Sequence, residues 1–177
     1  MPPPLPRRIA VLASASGNGK TTLARELAAR LSAPHIELDA LHHGPGWSAA
    51  TAEELRARVA PYVERETWVI DGSYYAKLGT LVLDAADLIV WLDLPRRVWL
   101  PRLLARSARR ILLREALWNG NRETLRAILV GREALVPYAL QSHGTSRREL
   151  PSRLAAYRVE RLCTVRDVDA FRARFGL

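Results

Sequence analysis

Apolar positions along this chain fall into two kinds of pattern. Short unbroken runs, Ile9-Ala10-Val11-Leu12, Trp68-Val69-Ile70 and Leu88 to Leu92, are bounded by prolines, glycines or aspartates. Runs of that length without polar alternation predict strands covered on both faces. His35 to Leu38 and Val159 to Val165 predict two more. Between them the period becomes helical. Leu23, Leu27 and Leu31 recur at every fourth place, and Pro34 ends that helix. Thr51 and Glu54 have capping-box spacing and open a helix to about Glu64, with Pro61 as a kink point. A long arginine/leucine helix follows the fourth strand to roughly Trp118, where Asn119-Gly120-Asn121 breaks it. More helix fills 122–157, broken near Gly131 and Gly144, and Asp167 is placed to cap a last helix ending at Phe175. Strands alternating with helices predict right-handed crossovers and a parallel sheet with both faces covered.

Composition narrows the class. At 177 residues and 49% hydrophobic, the expected organisation is one domain, 1–177, with a real core. No run of 18 apolar residues exists to span a membrane. The proline-rich start and the short run at 9–12 do not read as an export signal. A lone cysteine, Cys163, has no internal partner, so a reducing cytoplasm is the expected setting; placed in a strand, it reads as a buried small hydrophobe. The net charge is +9, and only Lys20 and Lys77 are lysines. Residues 94–148 hold twelve arginines against Glu115, Glu123 and Glu133, while the remainder is neutral. That local excess predicts an anionic partner: the phosphates of a nucleotide, of a substrate, or of nucleic acid.

The most specific motif is Ser14-Ala15-Ser16-Gly17-Asn18-Gly19-Lys20-Thr21, with Thr22 behind it, lying between a predicted strand and a predicted helix. That is the context of a phosphate-binding loop. Small residues let successive backbone N–H groups turn around an oxyanion, and the helix N-terminus adds partial positive charge. Lys20 is placed to reach the β- and γ-phosphates, and the Thr21 hydroxyl to ligate Mg²⁺. Ser14 departs from the glycine usual at the first position, a change that matters only if the backbone there needs φ > 0. Asp39, Asp71 and Asp93 each follow an apolar run, so all three are expected at the ligand-facing edge of the sheet. Asp39 is a candidate to orient or deprotonate an acceptor hydroxyl, or to hold a magnesium-bound water; Asp71 and Asp93 are candidates for the metal. Asp93, followed by Leu94-Pro95, is equally explained as a turn before a helix with Pro95 in its first position. Arg102, Arg106, Arg109, Arg110 and Arg114 recur at three- and four-residue spacing, so several share a face suited to bidentate phosphate contacts. His42, His43, Trp47 and Tyr74 are weaker candidates for an acceptor pocket, and His143, Arg147 and Arg148 sit on a possible helix.

With the phosphate loop, Trp68-Val69-Ile70-Asp71-Gly72 and the run from Leu88 to Pro95 resemble the third and fourth strands of the adenylate-kinase-like group of small P-loop kinases. A bacterial adenylate-kinase-related subgroup, the topology-modulation or FlaR-like proteins, is similar in more detail. It shares Leu38-Asp39-Ala40-Leu41, Pro45-Gly46-Trp47, Ile70-Asp71-Gly72-Ser73-Tyr74 and Leu117-Trp118-Asn119-Gly120-Asn121-Arg122-Glu123. The resemblance implies an α/β P-loop NTPase fold, a three-layer sandwich on a five-stranded parallel sheet in the order 2-3-1-4-5. It also implies an ATP site and an arginine-rich helical lid at about 100–150. In that comparison Arg102 takes the place that packs on adenine and Arg106 the place that contacts phosphate, with Arg109 or Arg110 one turn away. The function expected is phosphoryl transfer from ATP·Mg²⁺ to a nucleoside monophosphate or another small molecule. The alternative is a nucleotide-dependent nucleic-acid-binding or regulatory protein without robust kinase activity; no helix-turn-helix or RNA-recognition pattern accompanies its basic window.

Overall fold

Each unbroken apolar run becomes a strand. The computed structural model, which describes residues 6–129 and 134–177, has β1 at Arg8–Ala13, β2 at His35–Glu37, β3 at Trp68–Asp71, β4 at Leu88–Leu92 and β5 at Val159–Leu162. They form one parallel sheet in the order β2-β3-β1-β4-β5, as the resemblance implied. The helices are α1 (Lys20–Leu31), α2 (Leu38–His42), α3 (Ala52–Val63), α4 (Tyr75–Leu78), α5 (Leu81–Ala85), α6 (Arg96–Leu112), α7 (Leu125–Leu129), α8 (Leu135–Arg153) and α9 (Val165–Phe175). None of the described helices is long and apolar enough to cross a membrane.

Strand pleating divides the core into two layers. Ala10, Leu12, Ile70, Ile89 and Trp91 face one side, where Leu55 and Val59 of α3 cover them. Ile9, Val11, Val69 and Val90 face the other, against Leu23 and Leu27 of α1 and Phe171 and Phe175 of α9. Cutting the fully buried Phe171 back to alanine would cost about 3–5 kcal/mol. A third, smaller cluster of Ala15, Trp99, Leu103 and Ala139 joins the loop after β1 to α6 and α8. With β1 central, that loop emerges between the ends of β3 and β4, where the order of connection reverses and a ligand crevice opens.

Several expectations need correction. β2 stops at Glu37, because Leu38 already begins α2. α6 ends at Leu112 rather than near Trp118; Arg114 takes a φ of 48° and turns the chain. Trp118–Gly120 is a single 3-10 turn with Asn119 at φ 56°. α3 runs through Pro61, and α8 runs through Gly144. Pro95 caps α6 from outside its first turn. The cap of α9 is Thr164, with Asp167 as the reciprocal partner three residues on. β5 ends before Cys163, which is only half-buried. The break expected near Gly131 and the basic-window residue Arg132 lie outside the described residues.

Candidate active site

The loop at 14–19 is held by its own side chains. Ser14 is not among the described residues with positive φ, so this position asks for no glycine. Its backbone N–H donates to Leu92 O at 3.0 Å. Its buried hydroxyl donates to Asp93 Oδ1 at 2.7 Å and accepts from Trp91 Nε1 at 2.8 Å. Asn18, also buried, donates to Ala15 O at 2.8 Å and accepts from Leu94 N at 3.0 Å. Asn18 therefore braces the loop from within, while Ala15 packs in the cluster with Trp99. Gly17, at φ 87°, is required twice over: a Cβ there would sit 2.5 Å from Trp99 O of α6. Ser16 and Gly17 are half-buried, and Gly19 and Thr22 are exposed at the start of α1.

Lys20 and Asp71 meet at the mouth of this loop. Lys20 Nζ lies 2.8 Å from Asp71 Oδ1 and 4.0 Å from Asp39 Oδ2. Asp71 is fully buried at the end of β3, and His35 Nε2 lies 3.3 Å from its other oxygen. Burial pushes the Asp71 carboxyl up, but the His35 hydrogen bond and the Lys20 ammonium hold it below the usual carboxylate range. The Gly72 beside it is explained by packing, since a Cβ there would meet Leu38 Cβ at 2.7 Å.

The end of β2 supplies a carboxylate that sequence reasoning missed. Glu37 accepts from the Thr21 hydroxyl at 3.3 Å and from Trp118 Nε1 at 3.1 Å, and lies 3.8 Å from Arg25. Its signal was the spacing Glu37-Leu38-Asp39 across a strand end, hidden because the strand was read through Leu38. Asp39, in the first turn of α2, accepts from the Tyr74 hydroxyl at 2.7 Å. Burial first, and then Asp39 itself, push the Tyr74 phenol far up, so it stays protonated and donates.

The arginines of α6 do not act alike. Arg102 is exposed. Arg106 is half-buried, and its Nε is buried with no hydrogen-bond partner. Burial and the neighbouring Arg110 lower its pKa, while Glu123, Asp39 and Glu37 oppose them, which puts Arg106 within the field of the β2-end carboxylates. Arg110 donates to Glu123 at 2.7 Å and Arg109 pairs with Glu115, so part of the basic excess is neutralised internally. Arg25, Glu37, Arg110, Ala116, Leu117 and Trp118 line a cavity of about 270 Å³.

Asp93, a metal candidate from its place after β4, lies among cations. Its Oδ1 receives Ser14, and its Oδ2 receives Arg161 at 2.5 and 3.0 Å and Arg147 of α8 at 3.2 Å. A carboxylate between two guanidinium groups is already compensated in charge. The Arg161 guanidinium also lies 4.2 Å over the Trp91 ring.

Two motifs distant in sequence meet over the site. Asn119 donates to His43 O and Asn121 to Gly44 O, while Trp47 N donates back to Asn121 Oδ1. Trp118 stacks on His43 at 5.8 Å, and Trp47 meets both edge-on. His42 packs on Tyr74 at 4.5 Å.

No family model matches the chain, and a search of curated proteins finds no match. Among solved structures, it is similar to a shikimate kinase from Bacteroides thetaiotaomicron: TM-score 0.55, 18% identity, covering 98% of this chain and 100% of that one. It is also similar to a gluconokinase from Sinorhizobium meliloti 1021, at TM-score 0.54, 21% identity and coverage of 96% and 93%. A deoxyadenosine kinase from M. mycoides with bound dCTP matches at TM-score 0.52, 10% identity and coverage of 96% and 98%. At these identities the likeness is one of fold: the chain has the five-stranded parallel α/β fold of P-loop kinases.

Proposed function

We propose that this chain is a magnesium-dependent kinase that moves the γ-phosphoryl group of ATP to a small-molecule acceptor. The position of Lys20 carries this reading: it opens α1 at the mouth of the phosphate loop, with Asp71 at 2.8 Å and Asp39 at 4.0 Å. The names of the similar structures, a shikimate kinase, a gluconokinase and a deoxyadenosine kinase, agree with phosphoryl transfer. Ser14 to Thr22 hold the polyphosphate with backbone N–H groups and the α1 N-terminus. Lys20 turns from Asp71 to the β- and γ-phosphate oxygens. Arg106 meets the transferring group from α6, where its unpartnered Nε finds an acceptor. Arg102 and Arg110 stand one turn to either side, toward the nucleotide.

The residues present fit Mg²⁺, a hard ion that takes oxygen ligands. The Thr21 hydroxyl already hydrogen-bonds the Glu37 carboxylate, and Asp71 is ionised beside it. Thr21 would hold the ion, with Asp71 and Glu37 on its waters; bound there, it neutralises charge on the phosphate oxygens. Asp39 orients the acceptor and takes its proton, with Tyr74 fixing the carboxylate from the other side.

Calorimetry with ATP and Mg²⁺, alongside phosphoryl transfer by Lys20→Ala, tests this. The wild type should bind Mg·ATP, and the variant should lose about 10³-fold in turnover while its circular dichroism is unchanged. No heat from ATP, or turnover that survives in Lys20→Ala, overturns it.

A further inference from the structure

We infer that the acceptor is an uncharged hydroxyl compound with a flat or apolar face, a nucleoside or a sugar, and not a nucleoside monophosphate. This rests on the kinase reading above and names the substrate class of that same site. The chemistry of the walls carries it. Two carboxylates, Glu37 and Asp39, stand at the β2 end where an acceptor must approach the γ-phosphate. Glu37 is taken up by Thr21, Trp118 and Arg25, so Asp39 is the carboxylate left facing the acceptor: it would repel a dianionic phosphate, whereas a hydroxyl can donate to it. Asp39 is set for this: Tyr74 occupies its Oδ1, and its Oδ2 is 4.0 Å from a lysine whose nearer partner is Asp71.

The cations nearest the two carboxylates already face acids, Arg25 at 3.8 Å from Glu37 and Lys20 at 2.8 Å from Asp71, and two others on this side are turned to main-chain carbonyls. Arg58 donates to Leu41 O at 2.6 Å and Lys77 to Ala50 O at 2.5 Å. Arg106 reaches the same carboxylates' field from α6 and is assigned above to the transferred phosphoryl group. Facing the carboxylates instead are imidazole and aromatic surfaces. His42, 7% exposed, and His43 each have a buried Nδ1 without a partner. Burial lowers the His42 pKa, so its ring is neutral at pH 7 and exchanges hydrogen bonds with hydroxyls without holding an anion. The rings of Tyr74, His43, Trp47 and Trp118 form one continuous packed surface beside them. Such faces take the C–H side of a sugar or the plane of a base.

The transfer balances with ATP as donor. The acceptor oxygen bonds to the γ-phosphorus as the bond from that phosphorus to the β,γ-bridging oxygen breaks. ADP leaves with the electron pair, and the hydroxyl proton passes to Asp39.

The test is ADP release by the full chain with Mg·ATP and three arms of acceptor: nucleosides, neutral sugars, and nucleoside monophosphates. Binding of Mg·ATP is measured separately by calorimetry. One of the two neutral arms should raise ADP release at least tenfold over the acceptor-free rate, with one phosphoryl group recovered on the acceptor for each ADP; monophosphates should leave it within about twofold. Which neutral arm responds identifies the source. Asp39→Asn should abolish the stimulation by about 10²-fold or more while Mg·ATP affinity stays within about threefold. Stimulation by monophosphates, or by neither neutral arm in protein that binds Mg·ATP, overturns the inference and leaves the kinase reading standing. Failure to bind Mg·ATP overturns both.

Discussion

The phosphate-loop end and the α6–acceptor end of the site are built on opposite principles. At the first, buried polar groups are matched: Asp71 with Lys20 and His35, Asp93 with Ser14, Arg147 and Arg161, and Asn18 with two main-chain groups. Against Trp99 Nε1 and His143 Nδ1 behind the phosphate loop, more buried groups stand unmatched at the second: Arg106 Nε, Glu123 Oε2, and Nδ1 of His42 and His43. Apolar side chains there face water, with Leu112 82% exposed and Leu125 64% exposed. A matched network holds the loop in shape before the ligand arrives, so that Lys20 alone has to change partner. Unmatched buried groups sit higher in free energy until a ligand satisfies them, which favours binding but weakens the unliganded fold. The two ends therefore differ in what a mutation removes.

Asp71→Asn and Arg106→Ala expose the difference most strongly. Both should cut turnover, by roughly 10²-fold for Asp71→Asn and 10³-fold for Arg106→Ala. Their effects on stability should have opposite signs. Asp71→Asn strips a buried ion pair of one member and should cost about 3 kcal/mol in urea unfolding. Arg106→Ala removes a half-buried guanidinium with an unpartnered Nε, so its unfolding midpoint should hold or rise. If Arg106→Ala is destabilised as much as Asp71→Asn, the two ends do not differ in this way.

The same divide decides what the sequence made legible. The phosphate loop could be read because strand, small residues, Lys20 and helix are contiguous, so local chemistry fixes the geometry. The strands were visible because each is buried on both faces and reads as an unbroken run. Glu37 was not visible, because its partners Thr21, Trp118 and Arg25 come from three separate segments. The partners of Asp93 were hidden for a similar reason: Arg147 and Arg161, which pair with it, follow it by more than fifty residues. The motifs around Trp47 and Trp118 each stand out by resemblance alone, while their mutual hydrogen bonds are a product of tertiary folding. Helix ends suffered most in the arginine segment, where charge masks the apolar period and Arg114 turns the chain against its own propensity.

Ser14 sharpens the matched end. Its hydroxyl satisfies the buried Trp91 N–H and binds Asp93, so Ser14→Ala should cost about 2 kcal/mol in thermal or urea unfolding. Ser14→Gly loses the same bonds and adds backbone freedom, so it should be less stable than alanine by a further 0.5–1 kcal/mol or so. A glycine variant more stable than the alanine one would show that this position wants positive φ after all.

The smallest expected effect is a pH dependence at the junction between the ends. His143 of α8 is 4% exposed, packs 5.4 Å from the Trp99 ring, and has an unpartnered Nδ1. Burial lowers its pKa; Arg147 and Arg96 add to that, and Asp93 opposes it. In the unfolded chain it titrates near the ordinary histidine value of about 6.5. Between that value and the lower folded one, the unfolded state binds more protons, so stability rises with pH. The contribution is complete above about pH 6.5 and is lost as the pH falls toward the folded value, by at most ~1.4 kcal/mol per pH unit. His42 on the acceptor side carries the same sign, since burial and then Lys77 lower it as well. Unfolding midpoints measured from pH 7.5 to 5 should therefore fall with acid. They should fall less in His143→Gln, and less again when His42→Gln is added. A neutral acceptor that seats against His42 should protect the first histidine's share of that loss and leave the share of His143 untouched, because His143 faces Trp99, Asp93 and the phosphate loop instead.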